Sequence, residues 1–342
     1  MNDINQALQA LIDKESQKAN THGILLGVQS ADGRVNFQDG VGNATADSAY
    51  FIASITKMFT ATAIMQLVDE GRLDLDAPIQ QYLPHVQLDG IHVYDGVDYS
   101  KQLKVYQLMN QTSGLADYYE DEFIEDFKNN RDRAYDLNDV LVMVRDLKSS
   151  AIPDSGKSYY SDTNYQLLGA IIEAITDCPL DQVFQARIFA PLQLRNTYVF
   201  DHTVQRSNPL SLYNKAQPLD VPLALSSMAA DGGIVSNLSD SMTFLKAYFA
   251  GELFDSSYFE RMQQWNPLFF PMQYGYGLMR FKVPRWMNLF RDTPELIGHS
   301  GSSGSFAFYE PTAQVYMVGT FNQIDAPQRP FQFMMKALNI VS

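Results

Sequence analysis

Apolar residues at Ile4, Ala7, Leu8, Leu11 and Ile12 fall on one stripe of a 3.6-residue repeat and predict an amphipathic helix over residues 3–19. The period then changes to two. Residues 24–29 and 34–38 predict two strands, joined through Ala31-Asp32-Gly33 as a hairpin. From Ile55 to Val68 apolar residues occupy most of the helical circumference, the mark of a buried helix, with Gly71 placed to end it. Between about residues 75 and 290 the pattern is mostly helical, for example over 137–147, 165–176 and 239–249, with Pro- and Gly-bearing loops between. Strand patterns return at 306–309 and 314–321 around a turn at Glu310-Pro311-Thr312-Ala313, and a last helix is predicted over 327–340.

Strands at both ends and helices between predict an α+β fold. One antiparallel sheet would be flanked by the N- and C-terminal helices, with a mostly helical part inserted. The expected division is residues 1–75 plus 290–342 for the sheet domain and 76–289 for the helical domain, with a site between them.

Composition narrows the function classes. The 342 residues are 46% hydrophobic and 19% charged, an ordinary globular balance with room for a large core. A net charge of −14 and a pI near 4.7 argue against nucleic acid and anionic membrane surfaces as partners. The single cysteine, Cys178, cannot form an intrachain disulfide, and the five histidines show no metal-ligand spacing. No apolar run is long enough to span a membrane, and no signal peptide pattern opens the chain. As written the sequence reads as cytoplasmic, or as periplasmic or secreted if a signal peptide was removed. Oligomeric state is not encoded in any of these features.

Three segments carry candidate chemistry. Ser54-Ile55-Thr56-Lys57 puts a hydroxyl and an amine three residues apart, on one face of the predicted buried helix and at its start. Serine needs a neighbouring base to become a nucleophile, and a lysine amine can serve. The free N–H groups of a helix start favour developing negative charge. An N-cap serine beside a snorkelling lysine would give the same tetrapeptide. Tyr160-Ser161-Asp162 lies on a polar loop before an apolar helix, where a phenol near an ammonium can relay protons; loop aromatics closing over the core would look alike. Gly298-His299-Ser300-Gly301-Ser302-Ser303-Gly304 is small enough for a backbone edge to approach a substrate, or is a plain turn before a strand.

Taken together, these segments resemble the β-lactamase-related serine hydrolases, a family that includes class C β-lactamases, D-alanyl-D-alanine carboxypeptidases, D-aminopeptidases and family VIII carboxylesterases. Ser54 and Lys57 match the S-x-x-K motif, Tyr160-Ser161-Asp162 stands where the family has Y-x-N, and His299-Ser300-Gly301 matches K-T-G or H-T-G. Gln111-Thr112-Ser113-Gly114-Leu115, Asp231-Gly232-Gly233 and Tyr274-Gly275-Tyr276-Gly277 are smaller matches in the same order. The resemblance implies a β-lactamase/DD-peptidase-like fold. It implies an acyl-enzyme at Ser54, proton transfer by Lys57 and Tyr160, an oxyanion hole from the backbone N–H groups of Ser54 and Ser302, and substrate positioning by His299 and Ser300. It implies no metal or organic cofactor.

Two departures bear on chemistry. Asp162 replaces the usual asparagine; a carboxylate beside Lys57 favours the ammonium, shifts weight toward Tyr160 as base and disfavours anionic substrates. His299 replaces a lysine that would hold a β-lactam carboxylate, so β-lactam hydrolysis is expected to be weak or absent. Aromatic residues of 265–278 and Tyr118-Tyr119 are candidates for the pocket lining, and Arg280, Arg285 and Arg291 for a carboxylate anchor. The reading is a serine hydrolase acting on a small ester, amide or peptide, most simply a carboxylesterase or a D-amino-acid-directed peptidase or amidase. The alternative is a catalytically weak, penicillin-binding-protein-like binding or scaffolding protein.

Overall fold

The computed structural model describes residues 3–341 apart from 205, 207 and 283–293. Its centre is an eight-stranded sheet in which every neighbouring pair is antiparallel. From edge to edge the strands are Asn266–Pro267, Met272–Tyr274, Met279–Lys282, Glu295–Ser300, Phe306–Glu310, Val315–Thr320, Gly23–Ser30 and Asn36–Gly42. The two ends of the chain meet one strand in from an edge, where Leu25 pairs with Thr320 and Ser30 with Val315.

Both faces of the sheet are covered, and the pleat sorts side chains between them. Ile24, Leu26 and Val28 pack with Leu8 and Ile12 of the first helix, Asp3–Ser16, and with Phe333, Met334 and Leu338 of the last, Arg329–Val341. Leu25, one residue out of phase, joins the larger core on the opposite face. Glu15 fastens the two terminal helices together: it is buried and accepts from Lys336 Nζ at 2.7 Å.

The helix Thr56–Asp69 runs through the larger core and is buried on every side, as its sequence predicts. It ends where Gly71 takes φ +67°, with Gly71 N–H on the Val68 carbonyl and Arg72 N–H on that of Leu67, both at 2.9 Å. These two bonds cap its last free carbonyls in a Schellman motif. Around it lie the helices Asp162–Thr176 and Leu238–Ala250 and a small sheet of Tyr50–Phe51, Ile234–Ser236 and Tyr198–Val199.

The expected helical stretch contributes more strand than its pattern announces. Three sheet strands come from residues 266–282, on the helical side of the expected division, while the boundary at 289–290 itself lies outside the described residues. Strands of two to four residues are too short to show a period of two. The second strand starts at Asn36 rather than 34, because the hairpin, with Gly33 at φ +75°, closes through Ser30 N–H to the Val35 carbonyl at 3.0 Å. Among the described residues no helix is long and apolar enough to cross a membrane.

Candidate active site

The chain enters the site along the strand Tyr50–Phe51, paired to Val235 and Ser236, and Ile52 N–H reaches the Ile234 carbonyl at 3.0 Å. Ala53 then adopts φ +47°, an uncommon conformation for a residue with a Cβ. A one-turn 3₁₀ segment, Ala53–Ile55, carries Ser54 ahead of the α-helix that starts at Thr56. The α-helix therefore begins two residues later than expected, and the nucleophile candidate stands on its entry turn. Two hydroxyls clamp this turn from the sheet: Ser303 Oγ donates to the Phe51 carbonyl at 2.9 Å and Ser305 Oγ to that of Ile52 at 2.7 Å. Gly301 makes the approach possible, since a Cβ there would lie 2.3 Å from Ser305 Oγ and 2.7 Å from the Ile52 oxygen.

Lys57 is fully buried one helical turn further on. Its Nζ donates to Ser54 Oγ at 3.1 Å and to the Asp231 main-chain oxygen at 2.8 Å, and it forms an ion pair with Asp162. A buried ammonium is tolerated only with such partners. Asp162 is delivered by the start of its own helix, and the loop before that helix is moulded onto residues 111–117. Gln111 Oε1 accepts from Ser161 N–H at 2.9 Å, Ser161 Oγ donates to the Ala116 carbonyl at 2.9 Å, and Asp117 Oδ1 accepts from Asp162 N–H at 2.9 Å.

Tyr160 completes the group. Lys57 Nζ stands 5.1 Å from its ring centre, and the Ser54 side chain lies beside the phenol. Burial, reinforced by the Asp162 carboxylate, pushes this phenol well above the usual tyrosine range. That corrects the expectation that Asp162 shifts weight to Tyr160 as the resting base: the same carboxylate that engages Lys57 also keeps Tyr160 protonated.

His299 departs from its expected role. It is fully buried and does not line the cleft, so it is not placed to touch a substrate carboxylate. Nδ1 lies 2.7 Å from the Ser300 carbonyl, which can only accept, so Nδ1 carries the proton and Nε2 accepts from Tyr274 at 3.0 Å. Burial, with the Lys57 charge added, holds its pKa down to about 3. Ser300 is half-buried with its hydroxyl on Met279 Sδ at 3.4 Å; Ser302, by contrast, is exposed and lines the cleft.

A small cleft lies before Ser54. Its apolar walls are Phe51, Phe127, Leu212, Leu225, Met228 and Ile324, and its polar groups are Ser54, Asp162, Asp231, Ser302 and Tyr119. Tyr119 is thus where the sequence placed it, whereas Tyr118 is buried behind and residues 265–278 do not line this cleft. Arg280 is ion-paired to Glu295 at 2.7 Å and lies over the Trp265 ring; Arg285 and Arg291 lie outside the described residues. Among the described residues, no lysine or arginine lines the cleft.

Sequence reasoning missed the acid side of the site. Asp231 is 2% exposed, and burial beside Asp162 raises its pKa to about 7. Burial and the same neighbour push Asp117 well above the usual carboxylate range. The only sequence signal was Asp231 standing before two glycines, one of the smaller matches to the family.

Comparison with known proteins agrees with this geometry. The β-lactamase family model matches residues 8–332, and the chain belongs to that family. Among solved structures, a D-stereospecific amidohydrolase from Streptomyces sp. superposes with a TM-score of 0.81 at 27% identity, covering 98% of this chain and 97% of that one. D-amino acid amidase from Ochrobactrum anthropi SV3 gives 0.81 at 25%, covering 99% of each. Protein flp of Staphylococcus aureus strain MW2 is 31% identical over 205 residues, 57% of this chain but 38% of that protein. Penicillin-binding protein 4 of Amycolatopsis lactamdurans is 34% identical over 154 residues, 45% of this chain and 36% of that protein. The chain thus spans well under half the length of these curated relatives.

Proposed function

We propose that the protein is a serine hydrolase that forms an acyl-enzyme at Ser54. The observation that carries this reading is the buried Lys57 ammonium, held between Ser54 Oγ and the Asp162 carboxylate at the edge of an apolar cleft. Proton transfer from Lys57 Nζ to Asp162 leaves a neutral amine 3.1 Å from the serine oxygen. That amine takes the Ser54 proton as Oγ bonds to the acyl carbon. The phenol of Tyr160, beside Ser54 and Lys57, relays a proton toward the leaving group. The backbone N–H groups of Ser54 and Ser302 receive the oxyanion, a contribution worth a few kcal/mol per donor (about 3). Water then releases the acyl group.

A cleft lined by carboxylates and, among the described residues, without Lys or Arg disfavours anionic substrates, so β-lactam hydrolysis is weak or absent. The apolar walls suit acyl or aryl groups. Amides of D-amino acids and simple carboxylic esters are the favoured classes, the former supported by the D-amino acid amidase and D-stereospecific amidohydrolase likenesses.

The test is nitrophenol release from p-nitrophenyl butyrate and ammonia release from D-phenylalaninamide, by wild type and Ser54→Ala at equal folded concentration. Loss of at least about 10³-fold in the variant is expected on the substrate that is turned over. Equal rates in both proteins defeat the assignment.

A further inference from the structure

The aromatic residues of 265–278 do not line the cleft, but two of them, Trp265 and Tyr276, meet Tyr106 around a second depression of about 340 Å³. That is the lower end of the size range of small-ligand sites. It shares no lining residue with the cleft before Ser54. The two back onto the same segments. Asn110 and Thr112 line the depression, while Gln111 between them accepts from Tyr159 N–H through its carbonyl at 2.8 Å and from Ser161 N–H through Oε1 at 2.9 Å.

The lining combines aromatic rings with uncommitted amides. Trp265 is partly exposed, and its ring lies down on Gly275, where a Cβ would come within 3.1 Å of Cζ3. Asn110 Oδ1 accepts from Thr112 N–H at 3.2 Å, but its Nδ2 has no partner among the described residues and is not buried. Gln264 and Asn266 also line the depression, and neither side-chain amide has a hydrogen bond among the described residues. Asp154 is the one charged side chain in the lining among those residues, and its carboxylate is already engaged. Oδ1 accepts from Thr112 Oγ1 at 2.9 Å, and Oδ2 accepts from Tyr106 Oη at 2.7 Å and from Gln107.

We propose that this depression binds a neutral pyranose sugar, beside the hydrolytic cleft and independently of the Ser54 chemistry. A pyranose has a flat face of C–H bonds, which an aromatic ring receives, and a rim of hydroxyls that each donate and accept. A side-chain amide offers donors and an acceptor in one plane and matches that rim. Other ligand classes fit less well. A flat apolar ligand would desolvate three amides without pairing them. An anion such as a nucleotide phosphate would meet the Asp154 carboxylate and no cation in the lining. A cation would find that carboxylate already holding three donors. The strands Asn266–Pro267 and Met272–Tyr274 also form a hairpin whose tip exposes Phe269 and Phe270, at 63% and 65%, further rings for a longer saccharide.

The chain has two tryptophans, so a proton–nitrogen correlation spectrum carries two indole signals, and Trp265→Phe assigns them. The wild-type protein is titrated with the methyl pyranosides of glucose, galactose, mannose and N-acetylglucosamine. At least one is expected to shift the Trp265 indole signal saturably, with a Kd on the order of 1 mM. Asn266→Ala, which removes a side chain without internal partners, should weaken that binding about tenfold while its thermal melt stays unchanged. A linear tetrasaccharide of the best sugar then identifies the source. Equal affinity upholds a site for a single sugar, and a gain of about tenfold upholds a site for a stretch of polymer. No saturable shift with any of the four sugars up to about 50 mM overturns the proposal. So does an equal shift with benzyl alcohol, which has a ring but no rim of hydroxyls. Unchanged affinity in Asn266→Ala overturns the placement of the sugar in this depression. The wild-type titrations need no substitution in the lining, so they decide the proposal even if that variant misfolds.

Discussion

The start of the buried helix and the strand Glu295–Ser300 face each other across the site, and each buries a basic side chain completely: Lys57 on the first and His299 on the second. Their surroundings differ. Lys57 touches a carboxylate, a serine hydroxyl and a carbonyl. His299 touches a carbonyl and a phenol, and the Lys57 charge opposes its protonation. Equal burial therefore leads to different chemistry. A partnered amine sits against the Ser54 hydroxyl, while the imidazole stays neutral and braces the strand. A buried group's partners, more than its depth, decide whether it works as a charge or as a strut.

That contrast can be broken at three points. The largest effect is expected in acid. The folded state holds His299 down to about 3, while the unfolded chain takes up a proton near 6.5. The unfolded state binds more protons across that window, so stability falls as pH drops from 6.5 toward 3. The loss is on the order of 4 kcal/mol. Urea unfolding of wild type and His299→Gln at several pH values checks it, and identical pH slopes would remove His299 from the account.

Next in size is the contact between the two regions. A Cβ at Gly301 would collide with Ser305 Oγ, Ile52 O and, at 2.8 Å, the Cβ of Ala53. Gly301→Ala is expected to shift the Ser54 turn and to lower kcat by about 10²-fold, because small displacements of reacting groups are costly. Kinetics beside a thermal melt separate displacement from unfolding; an unchanged kcat would show that the strand does not position the turn.

The smallest is the lysine's partner. Asp162→Asn removes the charge paired with Lys57, which makes the ammonium easier to deprotonate. The acid limb of the rate–pH profile should move down by about one unit. An unchanged profile would uncouple Asp162 from Lys57.

The comparison also shows what could be read along the chain. Ser54 and Lys57 were legible because a spacing of three on a helix places two side chains together without help from the rest of the fold. The buried character of 56–69, its glycine stop and the terminal strands were legible for the same local reason: periodicity and capping are written in consecutive residues. Tyr160 and Asp162 were found as a motif, but their consequences were misjudged. Whether a phenol is pushed up or down depends on burial and on carboxylates from other segments, here Asp117 as well as Asp162. His299 was read as a substrate contact because the sequence cannot show which face of a strand looks into a cleft and which into the core.

By itself, then, the sequence determined the class of fold, the family, the pairing of Ser54 with Lys57 and the absence of a permanent charge at 299, all properties of local pattern. Only the tertiary structure decided that Ala53 and Gly301 let strand and helix meet at Ser54. It also set the charge balance, because Asp231 is 174 residues from Lys57 and no local pattern records a distance that the fold reduces to 2.8 Å. Electrostatic state depends on how much water is excluded and on which charges are brought together, and both are fixed only when the chain is packed.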